Sequence, residues 1–170
     1  MIARGWLFAS TGKPAGAVPM ITDALAAYRS TGARLGIPEA LTCLAKAHSE
    51  LGRVVDSLRC IGEALTVIET TKEMWCQAEV HRTAGEIALG SREPDRRKAE
   101  AHFDRALVIA RGQQAKSLEL RAAISMARLW RDQGKRDEAR DLLAPVYGWF
   151  TEGFDTLDLK QAKALLDELA

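Results

Sequence analysis

The chain has 170 residues, 47% of them apolar and 28% charged, a globular composition that excludes disorder and allows one substantial core. Its 24 Lys and Arg stand against 23 Asp and Glu for a net charge of +1, so no global field selects nucleic acid or an anionic membrane. Cys43, Cys60 and Cys76 form no C-x-x-C pair, no apolar run approaches the ~18 residues of a membrane span, and the opening MIARGWLFAS lacks a secretory apolar core; a reducing cytoplasm fits best.

Residues 1–31 read as a short helix, a corner at Gly12-Lys13 and a second helix with Ala17, Ile21 and Ala24 on one face. Pro19, five residues after Pro14, predicts that this second helix kinks or starts near Val18. Met1, Ile2, Trp6, Leu7 and Phe8 on the opening helix need cover. A homodimer through Trp6 and Phe8, about a twofold axis, supplies it. The alternative is that Trp6 and Phe8 fold inward against Ile21, Leu25 and the second repeat.

Residues 34–70 hold a first helix with Leu41, Leu44, Ala45, His48 and Leu51 at i, i+3, i+4 spacing, a corner at Gly52-Arg53, and a second helix with Val54, Leu58, Ile61, Leu65 and Ile68. In residues 73–115 no glycine occupies the corner slot, but KAEAHFDRAL places Ala99, Phe103 and Ala106 like Ala17, Ile21 and Ala24, like Ser57, Ile61 and Ala64, and like Ala139, Leu143 and Val146. Residues 116–150 return to the scheme with Ala123, Met126, Ala127 and Trp130, the corner Gly134-Lys135, then Ala139, Leu142, Leu143 and Val146.

The period is read from both signals. Gly12 to Gly52 is 40 residues and Gly52 to Gly134 is 82, two steps of 41. Ala24, Ala64, Ala106 and Val146 step by 40, 42 and 40, and the longer step contains GSREPDRR, a loop with two residues inserted. Each glycine ends a first helix at positive φ, where the following Lys or Arg meets free carbonyls. Neither STGKPA nor DQGKRD completes a phosphate-binding G-x-x-x-x-G-K-[ST].

The closing residues 151–170 follow the aromatics Tyr147, Trp149, Phe150 and Phe154. Asp155 or Thr156 starts a helix whose Leu159, Ala162, Leu165, Leu166 and Leu169 form one stripe. That helix covers the open end of a repeat stack, with the aromatics as the joint. The rival reading makes the aromatics a binding surface.

AEAHFDRAL and CLAKAHSELG resemble the second and first helices of the tetratricopeptide repeat (TPR), although a period near 40 exceeds that family's 34. The resemblance implies an all-α, right-handed solenoid of about four helical hairpins plus a C-terminal capping helix. Residues from Ala99 onward also resemble the last repeats of bacterial adenylate or guanylate cyclases that carry an ATPase module. This implies a repeat tail or truncated relative of such a signalling protein, without a cyclase site.

No nucleophile stands beside a base, and His48, His81 and His102 have no metal spacing, so no enzyme activity, cofactor or metal is expected. First helices line the concave face of TPR-like hairpins. Their residues off the buried stripe are Glu39, Thr42, Lys46, Ser49 and Glu50, then Glu79, Arg82 and Glu86, then Arg121, Ile124, Arg128 and Arg131. The binding set expected from these is Lys46, Glu50, Arg82, Glu86, Arg121, Arg128 and Arg131. Arg121, Arg128 and Arg131 share a side and fit carboxylates of an acidic peptide or a small anion, or else form a hydrated surface. The chain has no asparagine, so this is not the asparagine-based carboxylate clamp of some TPR proteins. Glutamates interrupt the face and exclude nucleic acid. The expected function is a non-catalytic protein-interaction module of a cytoplasmic bacterial signalling protein, with no membrane contact.

Overall fold

The computed structural model describes residues 14–170, among which eight α-helices and no strand occur. They are α1 (Pro14–Ser30), α2 (Ile37–Glu50), α3 (Val54–Thr71), α4 (Gln77–Leu89), α5 (Arg96–Gly112), α6 (Lys116–Asp132), α7 (Arg136–Gly148) and α8 (Leu157–Leu169). Trp6 and Phe8, the corner expected at Gly12 and the opening helix expected before it all fall outside the described residues.

Sequence neighbours pack as the pairs α2–α3, α4–α5 and α6–α7. Beyond these, α2 touches α4, α4 touches α6 and α6 touches α8, whereas α3, α5 and α7 touch only the helices next to them in sequence. The first helices therefore form a continuous inner row and the second helices an outer one: a TPR-like solenoid. The terminal helix α8 packs on both α6 and α7, in the place a further first helix would take. It covers the end of the stack and also extends the inner row.

The repeated register is the core. Ala17, Ile21 and Ala24, then Ser57, Ile61 and Ala64, then Ala99, Phe103 and Ala106, then Ala139, Leu143 and Val146 are all buried. Two apolar clusters result, one built from α1 to α4 and one from α4 to α8, and α4 contributes to both. Leu58, expected on the α3 stripe, is 39% exposed, and Ser57 takes the inward position, where its Oγ donates to the Ala45 carbonyl at 2.6 Å. Leu51 is only partly buried. Thr42 and Ile124, expected among the groove contacts, are 3% exposed but still line the inner face.

Of the two outcomes expected at Pro19, the start near Val18 is corrected: α1 runs from Pro14 through Pro19 to Ser30. Ala15 and Pro19 both face solvent, so water can take the carbonyl that the proline leaves without a donor. Thr156 stands at the start of α8 with extended backbone but makes no side-chain capping bond. Tyr147 and Phe150 pack on the second cluster, while Trp149 and Phe154 stay about half exposed.

Gly52 (φ 71°) and Gly134 (φ 81°) do form left-handed corners. Arg53 N–H reaches the His48 carbonyl and Lys135 N–H the Trp130 carbonyl, both at 2.9 Å, closing the helix ends in the same way. Ala115 N–H reaches the Ala110 carbonyl at 2.9 Å too, but there Gln114 takes the positive φ, 53°. The inserted loop after α4 ends on Asp95, whose Oδ1 accepts from Lys98 N–H at 2.9 Å to start α5. Gly134→Val is expected to cost about 1 kcal/mol or more, since a β-branched residue resists positive φ. Gly148→Ala, in open space at ordinary φ, should change stability little. Urea denaturation of the two variants gives the ranking, and the reverse order would refute the corner assignment.

The hairpin α4–α5 also joins two imidazoles, His81 Nδ1 and His102 Nδ1, at 3.3 Å. Burial, then His102, then Arg105 lower the His81 pKa from 6.5 to about 4, and burial and Lys98 lower that of His102. Because the folded values are depressed, the unfolded chain binds more protons in this window. The contribution is fully present above pH 6.5 and is lost as the pH falls towards about 4. The expected loss is about 1–2 kcal/mol, allowing for screening of half-buried rings. Replacing both histidines with glutamine should flatten the urea-midpoint profile over that range, and an unchanged profile would remove the pair as its cause.

Candidate functional site

The inner row presents a groove whose side chains follow helical same-face spacing. Glu39, Cys43, Lys46 and Glu50 come from α2, Glu79, Arg82 and Glu86 from α4, and Leu118, Arg121, Ser125 and Arg128 from α6. A polar cavity of about 550 Å³ lies between α2, α4, α6 and α8. A second, more apolar cavity of about 290 Å³ lies beside it, lined by Cys43, Trp75, Cys76 and Leu118. The two share Lys46, Glu50, Glu79 and Arg121, so the groove is continuous.

An ion network stiffens its floor. Arg82 grips Glu79 with two bonds, Nε to Oε2 at 2.8 Å and NH2 to Oε1 at 2.7 Å, the forked geometry of guanidinium on carboxylate. Lys46 Nζ reaches Glu79 Oε1 at 2.6 Å. Arg82 also pairs with Glu86, whose Oε1 accepts from Ser125 Oγ at 3.2 Å. Three inner helices are tied together in this way. Burial alone would raise the Glu79 carboxyl, but its bonds to Arg82 and Lys46 overcome that and hold it at about 2. Burial would lower Arg82, and Glu79 and Glu86 raise it instead.

At the other end α8 supplies acceptors. Arg121 Nε pairs with Asp158 at 2.6 Å, Arg128 NH2 donates to Gln161 Oε1 at 3.2 Å, and Arg131 NH1 pairs with Glu168 at 2.6 Å. Of the expected binding set, Lys46, Glu50, Arg82, Glu86, Arg121 and Arg128 line the polar cavity. Arg131 does not; it is engaged by Asp132 and Glu168 further along α6. The terminal helix α8 lies along the side that Arg121, Arg128 and Arg131 share.

Sequence reasoning missed the α8 contribution, Asp158 and Gln161, and the apolar wall of Trp75 and Leu118. The signal available for the latter was a tryptophan placed just before a helix and off its apolar stripe. Among the described residues no group of three or more His, Cys, Asp and Glu could hold a metal ion, and no helix is long and apolar enough to cross a membrane.

No protein-family model matches the sequence, and no curated protein matches it either. Solved structures do. The nearly identical TPR-like repeats of a kinesin light chain-like protein from Podosopora anserina superpose with a TM-score of 0.66 at 15% identity, over 99% of this chain and 82% of that one. A variant of the same protein gives a TM-score of 0.67 at the same identity and coverage. The likeness is one of fold: this chain has the architecture of TPR-like helical repeats.

Proposed function

We propose that the chain is a non-catalytic protein-interaction module whose inner groove holds an extended segment of a partner protein. The observation that carries this is the continuity of the two cavities across α2, α4 and α6, over a floor already fixed by Lys46, Glu79 and Arg82. A prearranged floor lowers the entropy lost on binding. Site-specific photo-crosslinkers at Glu50 and Arg121 should trap one and the same protein from the native host, and a crosslinker at Arg105 on the outer row should not. Capture from Arg105 alone would move the site to the other face.

The resemblance of the C-terminal repeats to the tails of bacterial cyclase proteins supports a role as a scaffold or sensor tail in signalling. An acidic peptide or small anion is a second reading for the far end, favoured by Arg128, which has no carboxylate within ion-pair distance among the described residues. Pairing of two copies through Trp6 and Phe8 belongs to the same proposal. Light scattering over a concentration series should then show a dimer that a Trp6→Glu, Phe8→Glu variant loses, and a monomeric wild type would refute it.

A further inference from the structure

We propose that the apolar cavity of about 290 Å³ at the Trp75 end of the groove receives a basic side chain, lysine or arginine, carried by the partner segment. The inference rests on the groove reading above and names the chemistry of its occupant. Cys43, Trp75, Cys76 and Leu118 give the cavity walls suited to a long aliphatic stem. Trp75 is 50% exposed, and its ring is held at the mouth because its Nε1–H donates to Glu73 Oε1 at 2.7 Å. The backbone beneath it is held as well, since Gln113 Nε2 donates to the Met74 carbonyl at 2.7 Å. A fixed aromatic face attracts a cation.

The charges on the rim select the sign. Both cations there are neutralised within the fold, Lys46 by Glu79 and Arg121 by Asp158. Glu39 and Glu50, which line the same cavity, form no ion pair among the described residues, and neither does Glu73 behind Trp75. The excess is negative. Its field is felt at the cavity floor, where burial first and then Glu73, Glu39 and Glu79 push the Cys76 thiol up to about 12. Burial and Glu73 likewise hold the Glu39 carboxyl above its usual range. An incoming carboxylate would meet these like charges in a partly desolvated site. A lysine or arginine would bury its stem against the apolar wall and bring its charge to Glu39 and Glu50. The partner segment is therefore basic at this end of the groove.

The test is an NMR titration of the full chain with acetyl-Gly-Gly-X-Gly-Gly-amide peptides, X being arginine, lysine, norleucine or glutamate, read at the Trp75 indole N–H and the amides of Glu39 and Glu50. The arginine and lysine peptides should shift these signals saturably, more weakly in high salt, and the norleucine and glutamate peptides should not. The single variants Glu39→Gln and Glu50→Gln, checked for unchanged helicity, should each weaken the arginine peptide severalfold, and the double variant about tenfold. Norleucine binding as tightly as arginine would overturn the charge assignment. Tetramethylammonium or free arginine binding as tightly as the peptide would overturn the assignment to a partner segment. A glutamate peptide that shifts the Trp75, Glu39 and Glu50 signals as strongly as the arginine peptide would overturn the basic pocket yet leave the groove reading standing. No shift with any peptide anywhere along the inner row would count against both.

Discussion

Phe103→Ala is expected to lower stability by about 3–5 kcal/mol, the range for deleting a buried aromatic ring. Phe103 is fully buried at the crossing of α4 and α5 and fills a space that exists because Gly85 lies opposite. A Cβ on Gly85 would stand 2.4 Å from the Phe103 ring, closer than atoms can approach. Gly85→Ala is thus expected to destabilise by about 1–3 kcal/mol, although alanine favours a helix by about 1 kcal/mol over glycine. The neighbouring repeats show the same rule with other sizes. Buried Ala45 shares a register with Ile61, and buried Ala127 with Leu143, so alanine stands where the partner is aliphatic. The double variant Gly85→Ala, Phe103→Leu should therefore be more stable than the sum of the two single losses indicates. Strict additivity in urea denaturation would contradict the pairing.

Arg82→Met is expected to cost about 3 kcal/mol, because it leaves Glu79 and its charge in a largely buried position with Lys46 as sole cation. The side chains of Arg82 and Glu79 are only 12% and 17% exposed. Arg82→Met with Glu79→Gln should recover much of the loss, since the stranded charge is gone. The pH profile discriminates as well. The folded-state carboxyl of Glu79 is held at about 2, so its contribution is present above the unfolded value of 4.5 and is lost as the pH falls towards 2. In Arg82→Met that acid-side loss should shrink. An Arg82→Met protein as stable as the wild type, with an unchanged acid limb, would show that the network does not tie the inner helices together.

The sequence made the architecture legible where one residue type answers one physical demand. Gly52 and Gly134 mark corners because positive φ selects glycine, and the Ala99, Phe103, Ala106 spacing marks a buried face because the helical period requires it. Gln114 and Lys72 turn with positive φ and without glycine, so those corners left no mark. Ser57 stood in the repeated register with Ile61 and Ala64, but the hydrogen bond to the Ala45 carbonyl that satisfies it there, with Leu58 left outside, is not something periodicity reports. The groove was legible helix by helix, as in Lys46 with Glu50 and Arg82 with Glu86. What it does with its charges was not, because Asp158 and Glu168 reach Arg121 and Arg131 only once α8 stacks on α6. Trp75 precedes α4 outside any periodic stripe, and only the stacking of α2, α4 and α6 gives it a cavity to wall.

The most direct measurement is to select peptides on the purified protein from a random display library and map the tightest by amide chemical shifts. Binding in the inner groove gives shifts clustered around Lys46, Glu79 and Arg121 on α2, α4 and α6. Shifts confined to the outer helices α3, α5 and α7 would contradict it.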